Sequence, residues 1–320
     1  MSANFDVFNG DADGICALHQ LRLTYPVSAT LITGAKRDIK LLEKVNARAS
    51  DSINVFDISM GQNKEALLYL LNLGIKVTYF DHHFVGTLAR HPNLTVVTDT
   101  APDTCTSVLV DRYVGGQHRA WAVVGAFGDN LDGLARRLAE PLKLSPENLD
   151  RLQDLGRCMN YNAYGETVDD LFFHPAALYG MIKPYGDPLR FAEREASIVD
   201  KLRDGRIEDM SRAMETTSQV ATAHGAIYVL PDAPWSRRVR GEFANQLAHA
   251  HTARAHAVLT HNAHSGYTVS VRAPLSKPKG ADELCLSFES GGGRPMAAGI
   301  NHLAEQRFEE FSRSFLFHYS

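Results

Sequence analysis

The chain has 320 residues, of which 44% are hydrophobic and 22% charged, with 33 basic against 37 acidic side chains. That length exceeds what one core usually holds, so two domains are expected. The slight net acidity excludes the basic face that a binder of long duplex nucleic acid needs, and no apolar run approaches the roughly 18 residues of a membrane span.

The first residues, MSANFDVFNGDADG, have no basic start and no apolar h-region, so no signal peptide is expected. Four cysteines, Cys16, Cys105, Cys158 and Cys285, form no C-x-x-C pair. Their scatter argues against a zinc ribbon or a disulfide framework and for a reducing, cytoplasmic setting.

In chain order, residues 4–9 read as a first strand, 15–23 as a helix, 29–33 as a second strand and 38–47 as a helix carrying Ile39, Leu41, Leu42 and Val45. A third strand is expected at 53–58, a helix at 64–73, a fourth strand at 76–80, a fifth at 95–97 and a helix at 107–114. Strands and helices alternating at this spacing predict a parallel sheet with helices on both faces. Residues 117–190 read as mainly helical, and 191–214 as one long, charged connecting helix. From about Ala226 the pattern changes to strands at 226–230, 257–260 and 267–271, a helix at 242–255, a glycine cluster at 291–293 and a closing helix at 303–317. The expected organisation is therefore α/β with two domains: residues 1–195, a helical linker at 196–220, and a smaller α/β domain at 221–320.

Acidic residues collect where strands should end. The first strand runs into Asn9-Gly10-Asp11-Ala12-Asp13-Gly14, the third into Asp57 and the fourth into Asp81-His82-His83, while Gly128-Asp129-Asn130 follows the apolar stretch 122–127. In a parallel sheet the carboxyl ends of neighbouring strands share one crevice. If those ends meet, Asp11, Asp13, Asp57, Asp81, His82 and Asp129 share a pocket, and so many carboxylates repel unless cations neutralise them. Carboxylates with one or two imidazoles suit Mn²⁺ or Mg²⁺ better than structural zinc. Taken singly, Asp-x-Asp-Gly is most often a turn, Asp57 a helix cap and Gly-Asp-Asn a turn; the coincidence of all four sites carries the signal. A Walker loop and an EF-hand glycine position are both absent.

Asp11-Ala12-Asp13-Gly14, Asp57, Asp81-His82-His83 and Asp129, in that order, resemble motifs I to IV of the DHH phosphoesterase superfamily. Ser270-Val271-Arg272 and Gly291-Gly292-Gly293-Arg294-Pro295-Met296-Ala297-Ala298-Gly299 resemble the substrate-binding signatures of its companion DHHA1 domain. Similar proteins include RecJ-type exonucleases and NrnA-type and cyclic-dinucleotide phosphodiesterases. The resemblance implies a phosphoesterase with two manganese ions, Mg²⁺ being the other candidate, and an active site in the cleft between the domains. It implies that Asp11 and Asp57 hold the first ion, with Asp81 completing its surroundings, and that Asp13, Asp57, His82 and Asp129 hold the second. His83 would face the scissile phosphate, and Arg272, Gly291, Gly292, Gly293 and Arg294 would bind substrate. Two positions depart from the family pattern. Val7 stands where many members carry a His, leaving Asn9 as a weaker neutral ligand, and Arg294 stands where a His is usual.

Several features have plainer readings. Arg237, Arg238 and Arg240 read as a solvated face, and His249, His251, His256, His261 and His264 as structural or surface histidines. The stripe Phe308, Phe311 and Phe315 reads as core packing or a dimer contact, which leaves a homodimer open. The segment from Met159 to Glu166 either stacks a base or ends a helix, the latter being slightly favoured. The function expected is an Mn²⁺-dependent phosphodiesterase that converts short single-stranded oligonucleotides or linear dinucleotides to nucleoside monophosphates. The alternatives are a pyrophosphatase or exopolyphosphatase and a non-catalytic nucleotide sensor.

Overall fold

A computed structural model describes residues 2–84 and 90–320. The chain divides into two compact units, residues 1–204 and 205–320. The division falls inside a helix of 19 residues, Ala196–Met214 (α9).

The first unit holds β1 (Asn4–Phe8), α1 (Ala12–Thr24), β2 (Thr30–Ile32), β3 (Ser52–Phe56), α2 (Lys64–Asn72), β4 (Lys76–Asp81) and β5 (Leu94–Thr98). The helices α3 (Thr106–Tyr113), α4 (Arg119–Gly128), α5 (Asp132–Ala139), α6 (Pro146–Asn162), α7 (Pro175–Ile182) and α8 (Pro188–Arg194) follow. The five strands are parallel, in the order β2-β1-β3-β4-β5. Alternate residues of each strand feed two cores. Phe8, Phe56 and Phe80 pack with α1, α3, α4 and α6 on one face, and Phe5, Val7, Ile53, Val55, Val77 and Tyr79 pack with α2 on the other. Burial on both faces explains why these strands read as nearly continuous apolar runs. From β1 the chain moves outward to β2 and then back past β1 to β3, so the direction of winding reverses between β1 and β3. In open parallel sheets the crevice at such a reversal is where ligands bind.

The second unit has the strand order β10-β11-β9-β8-β7-β6, with only β7 and β8 parallel. Its strands are β6 (Val220–Ala221), β7 (Gly225–Leu230), β8 (Ala255–Asn262), β9 (Gly266–Arg272), β10 (Gly291–Arg294) and β11 (Ala297–Ala304). Helix α10 (Pro234–Ala250) packs on one side through Val239, Phe243, Ala244 and Leu247. Helices α11 (Ala281–Leu286) and α12 (Phe308–His318) contribute Leu284, Phe311 and Phe315 to a second core. Phe311 and Phe315 are thus core residues.

Five local expectations are corrected. Residues 38–47 form only a 3-10 turn at Leu41–Lys44. There the Asn63 side chain accepts from the Leu42 amide and donates to the Ile39 carbonyl, taking the place of helical partners. The expected helix at 191–214 breaks at Glu195, whose φ of −110° and ψ of 38° leave the helical region. Helix α10 begins at Pro234, eight residues before the expected start, with proline in its favoured first-turn position. Residues 303 and 304 close β11, so the last helix starts at Phe308. The glycine cluster is itself a strand, paired with β11 in a hairpin.

Candidate metal centre

Three of the acidic motifs sit where the backbone leaves a strand of the parallel sheet, after β1, after β3 and at the end of β4. Asp11 caps α1, its Oδ1 accepting the Gly14 amide at 3.0 Å. Asp13 lies in the first turn of the same helix. Its two oxygens accept the amides of Thr106 and Ser107, each at 2.7 Å. These are the first two N–H groups of α3, which have no partner within that helix and lie at the positive end of its dipole. Asp57 ends β3 in the left-handed region, with φ of 58°, a conformation that Asp tolerates better than most residues. Its backbone N–H donates to the Phe80 carbonyl, and its Oδ1 accepts the Thr106 hydroxyl at 3.2 Å.

Asp129 comes from the segment expected to be mainly helical: the apolar stretch 122–127 is helix α4, and Asp129 is that helix's C-terminal cap. Gly128 makes the approach possible, because a Cβ there would stand 2.4 Å from the Ala12 Cβ on α1. A carboxylate at a helix C-terminus faces the negative end of the dipole, so Asp129 sits where a cation is favoured.

His82 Nε2 lies 3.4 Å from Asp57 Oδ1 and 4.0 Å from Asp129 Oδ2. His83 Nδ1 lies 2.7 Å from Asp81 Oδ1 and 4.0 Å from Asp57 Oδ1. Asp81 is fully buried and is committed locally: it accepts from the His83 amide, the His83 ring and the Met60 amide. It therefore orients His83 and enters no ligand group. Among the described residues, two groups bring ligand atoms within 4.8 Å of one another: Asp57 with His82 and His83, and Asp13 with His82 and Asp129. Both contain His82, so they surround one place. Carboxylate oxygens and imidazole nitrogens in this ratio fit a hard-to-borderline divalent cation.

The electrostatics point the same way. Burial pushes the Asp57 carboxyl well up, and the charges of Asp11 and Asp13 add to it. Asp129 is raised to about 6 by burial and then by Asp13. Burial would lower His82, but the hydrogen bond to Asp57 and the charges of Asp13, Asp57 and Asp129 raise it to about 10. Protonated Asp57 and Asp129 support the metal-free fold at low pH, a contribution lost as pH rises through their raised values. The support from charged His82 is present below 6.5 and fades towards pH 10. A divalent ion requires the deprotonated forms, so affinity for such an ion would rise with pH over the range in which metal-free stability falls. At pH 7 binding displaces at least the His82 proton. Calorimetric titration in buffers of different ionisation enthalpy should register one or more protons released per ion, and more at pH 5.5; zero release at pH 7 would contradict the assignment.

Lys36, Thr106 and Ser107 were not anticipated from sequence. Lys36, just after β2, places its ammonium 2.7 Å from Asp11 Oδ2 and 3.1 Å from Asn160 Oδ1. Burial would lower this ammonium's pKa, but the Asp11 carboxylate outweighs that and raises it. The Tyr164 hydroxyl accepts from Asn160 Nδ2 at 3.0 Å, and its ring centre lies 5.8 Å from Nζ of Lys36. The polar-aromatic end of α6 thus supports this lysine. The available signal for Lys36 was its place at the carboxyl end of a strand next to β1.

Of the expected first-ion ligands, Asn9 donates to Asp11 Oδ2 at 3.4 Å. Val7 is buried in the core on the α2 face.

In the second unit, Arg272 ends β9 and is tied to α10, donating to Asn245 Oδ1 at 2.6 Å and to the Gly241 carbonyl at 3.4 Å. Arg272 pairs with Ala297 and Ala297 with Arg294 across the hairpin, so both arginines project from the same face of the sheet. Arg294 is exposed. The three glycines differ. A Cβ on Gly291 would meet the Cys285 carbonyl oxygen at 1.7 Å, and one on Gly293, at φ of 146°, would meet Ala298 Cα at 2.4 Å; Gly292 has nothing within 4 Å. Open space for a ligand therefore lies over Gly292, while its neighbours are glycine for packing. The arginine cluster is not a solvated face: Arg238 is buried on Asp209 at 2.7 Å, and Arg240 reaches Thr260 and Ser270. None of the five histidines at 249–264 enters a ligand group among the described residues.

No protein-family model matches the chain, and no curated protein matches it either. Solved structures do. A RecJ exonuclease bound to manganese aligns with a TM-score of 0.68 at 17% identity, covering 99% of this chain and 90% of that one. The DHH domain of a protein described as belonging to a family of ribosomal proteins aligns at 0.66 and 14% identity, covering 99% and 86%. The chain has the DHH fold. RecJ from Thermus thermophilus in complex with Mn²⁺ aligns at 0.59 and 18% identity over 99% of this chain and 52% of that one. No helix among the described residues is long and apolar enough to cross a membrane.

Proposed function

We propose that this chain is an Mn²⁺-dependent phosphodiesterase that cleaves short single-stranded oligonucleotides or linear dinucleotides to nucleoside monophosphates. The observation that carries the reading is the convergence of Asp13, Asp57, His82 and Asp129 on one place at the winding reversal of a parallel sheet, with His83 beside it. Asp13, Asp57, His82 and Asp129 would hold the divalent ion. A bound divalent ion supplies Lewis-acid activation of water and neutralises charge on the phosphoryl group.

The chain's own residues do the positioning. Asp81 accepts the His83 Nδ1–H and fixes the ring, leaving Nε2 as the outward atom. That atom is placed to hold a proton against a phosphoryl or leaving oxygen as negative charge develops there. The backbone amides of α3 keep Asp13 aimed, so the ligand set is rigid before substrate arrives. Arg272 and Arg294, on one face of the second sheet, supply guanidinium donors suited to a terminal phosphate, and the open surface over Gly292 gives room for it. Two of the solved structures sharing this fold are described as manganese-bound RecJ, which supports both the metal and the substrate class.

The test is release of mononucleotide with Mn²⁺ from pApA, pGpG, a five-nucleotide RNA and cyclic dinucleotides, and of phosphate from pyrophosphate and polyphosphate, each beside an Asp81→Ala control. Turnover of the linear dinucleotides should fall about 100-fold or more in the control, the scale of losing one positioned donor to developing charge. Turnover of the inorganic substrates alone would make the protein a pyrophosphatase, and no turnover with intact metal binding would make it a nucleotide sensor.

A further inference from the structure

Resting on the reading of this centre as a divalent-metal site, we infer that Lys36 takes the place of one of the two metal ions and that the chain works with a single tightly bound divalent ion. Of the donors expected of a second ion, Asp11 is the one already paired with a cation. Asp11 accepts the Gly14 amide on one oxygen and both the Lys36 ammonium and the Asn9 amide on the other. Asp81 is spent on Met60 and His83. Asp11 belongs to neither ligand group among the described residues.

Lys36 is not a surface lysine that happens to point inward. Its backbone N–H donates to the Ala163 carbonyl at 2.9 Å, its neighbour Arg37 pairs with Glu166, and its ammonium is shared between Asp11 and Asn160. The loop after β2 is thereby pinned to the end of α6 on both sides of the ammonium. A divalent ion on Asp11 would stand against this fixed positive charge, with Asn9 offering a neutral amide in place of the charge needed to offset it. A fixed ammonium on the Asp11 side with one ion on the His82 side neutralises part of the carboxylate cluster without a second ion.

The experiment is a count of tightly bound Mn²⁺ on the full chain by calorimetry and electron paramagnetic resonance, for the parent protein, Lys36→Gln and Lys36→Arg, with circular dichroism and a thermal melt to check folding. The parent and Lys36→Arg should bind one ion with the spectrum of an isolated Mn²⁺. Lys36→Gln should rise to two ions with a spin-coupled signal. Two tight ions in the parent would overturn the inference while leaving the phosphoesterase reading intact. One ion in both parent and folded Lys36→Gln would overturn it equally, since the lysine would then exclude nothing. No bound ion in the parent would remove the metal-site reading itself. The parent count decides the matter even if Lys36→Gln does not fold.

Discussion

Asp57→Asn should cost this protein its metal and its turnover while leaving its metal-free fold at least as stable as before. Asp57 is buried beside Asp11 and Asp13, and burial and their like charge push its carboxyl well up, so the neutral amide relieves a repulsion. Asparagine also accepts the left-handed backbone at φ of 58°. The hydrogen bond from Thr106 can be made to the amide oxygen. The loss falls on function: a ligand that must be anionic becomes neutral. Several kcal/mol of transition-state stabilisation disappear with the ion, about 10³-fold or more in turnover. The thermal shift produced by Mn²⁺, about 2.7 kcal/mol at a hundredfold excess over Kd, should vanish. Asp57→Ala should lose function equally but melt lower, because alanine in the left-handed region is strained by about 1 kcal/mol or more. An Asn variant that still shifts on adding Mn²⁺ would remove Asp57 from the ligand set.

Asp13→Ala should behave in the opposite way with respect to stability. Asp13 is the partner of two backbone amides at the start of α3, and alanine leaves both buried without an acceptor. Each such orphaned group costs about 1–3 kcal/mol. Relief of the repulsion among the carboxylates offsets part of that, so a net loss of about 2 kcal/mol is expected by urea denaturation in the absence of metal. Asp13→Asn retains an acceptor oxygen and should lose about half as much. Mn²⁺ binding should weaken in both. Since Asp57→Asn and Asp13→Ala both damage the metal site, their contrast in metal-free stability isolates the structural duty of Asp13. An unchanged midpoint for Asp13→Ala would show that the two amides find other partners.

What the amino-acid sequence determined by itself was everything that depends on neighbouring residues. Alternating apolar runs and amphipathic stretches specified a parallel sheet flanked by helices, and acidic motifs at the ends of those runs located Asp11, Asp57 and Asp81 at its carboxyl edge. The expected helix at 38–47 failed because Asn63, far along the chain, supplies the hydrogen bonds that a helix would have made.

Tertiary structure alone decided how each acid is used. Asp13 meets Thr106 across 93 residues, and Lys36 meets Asn160 across 124. Asp81 turned inward to hold His83 rather than outward to the other acids. No local pattern encodes such pairings, because they arise only when the sheet winds back on itself and its cores close, bringing distant charges into a space too dry to leave any of them without a partner.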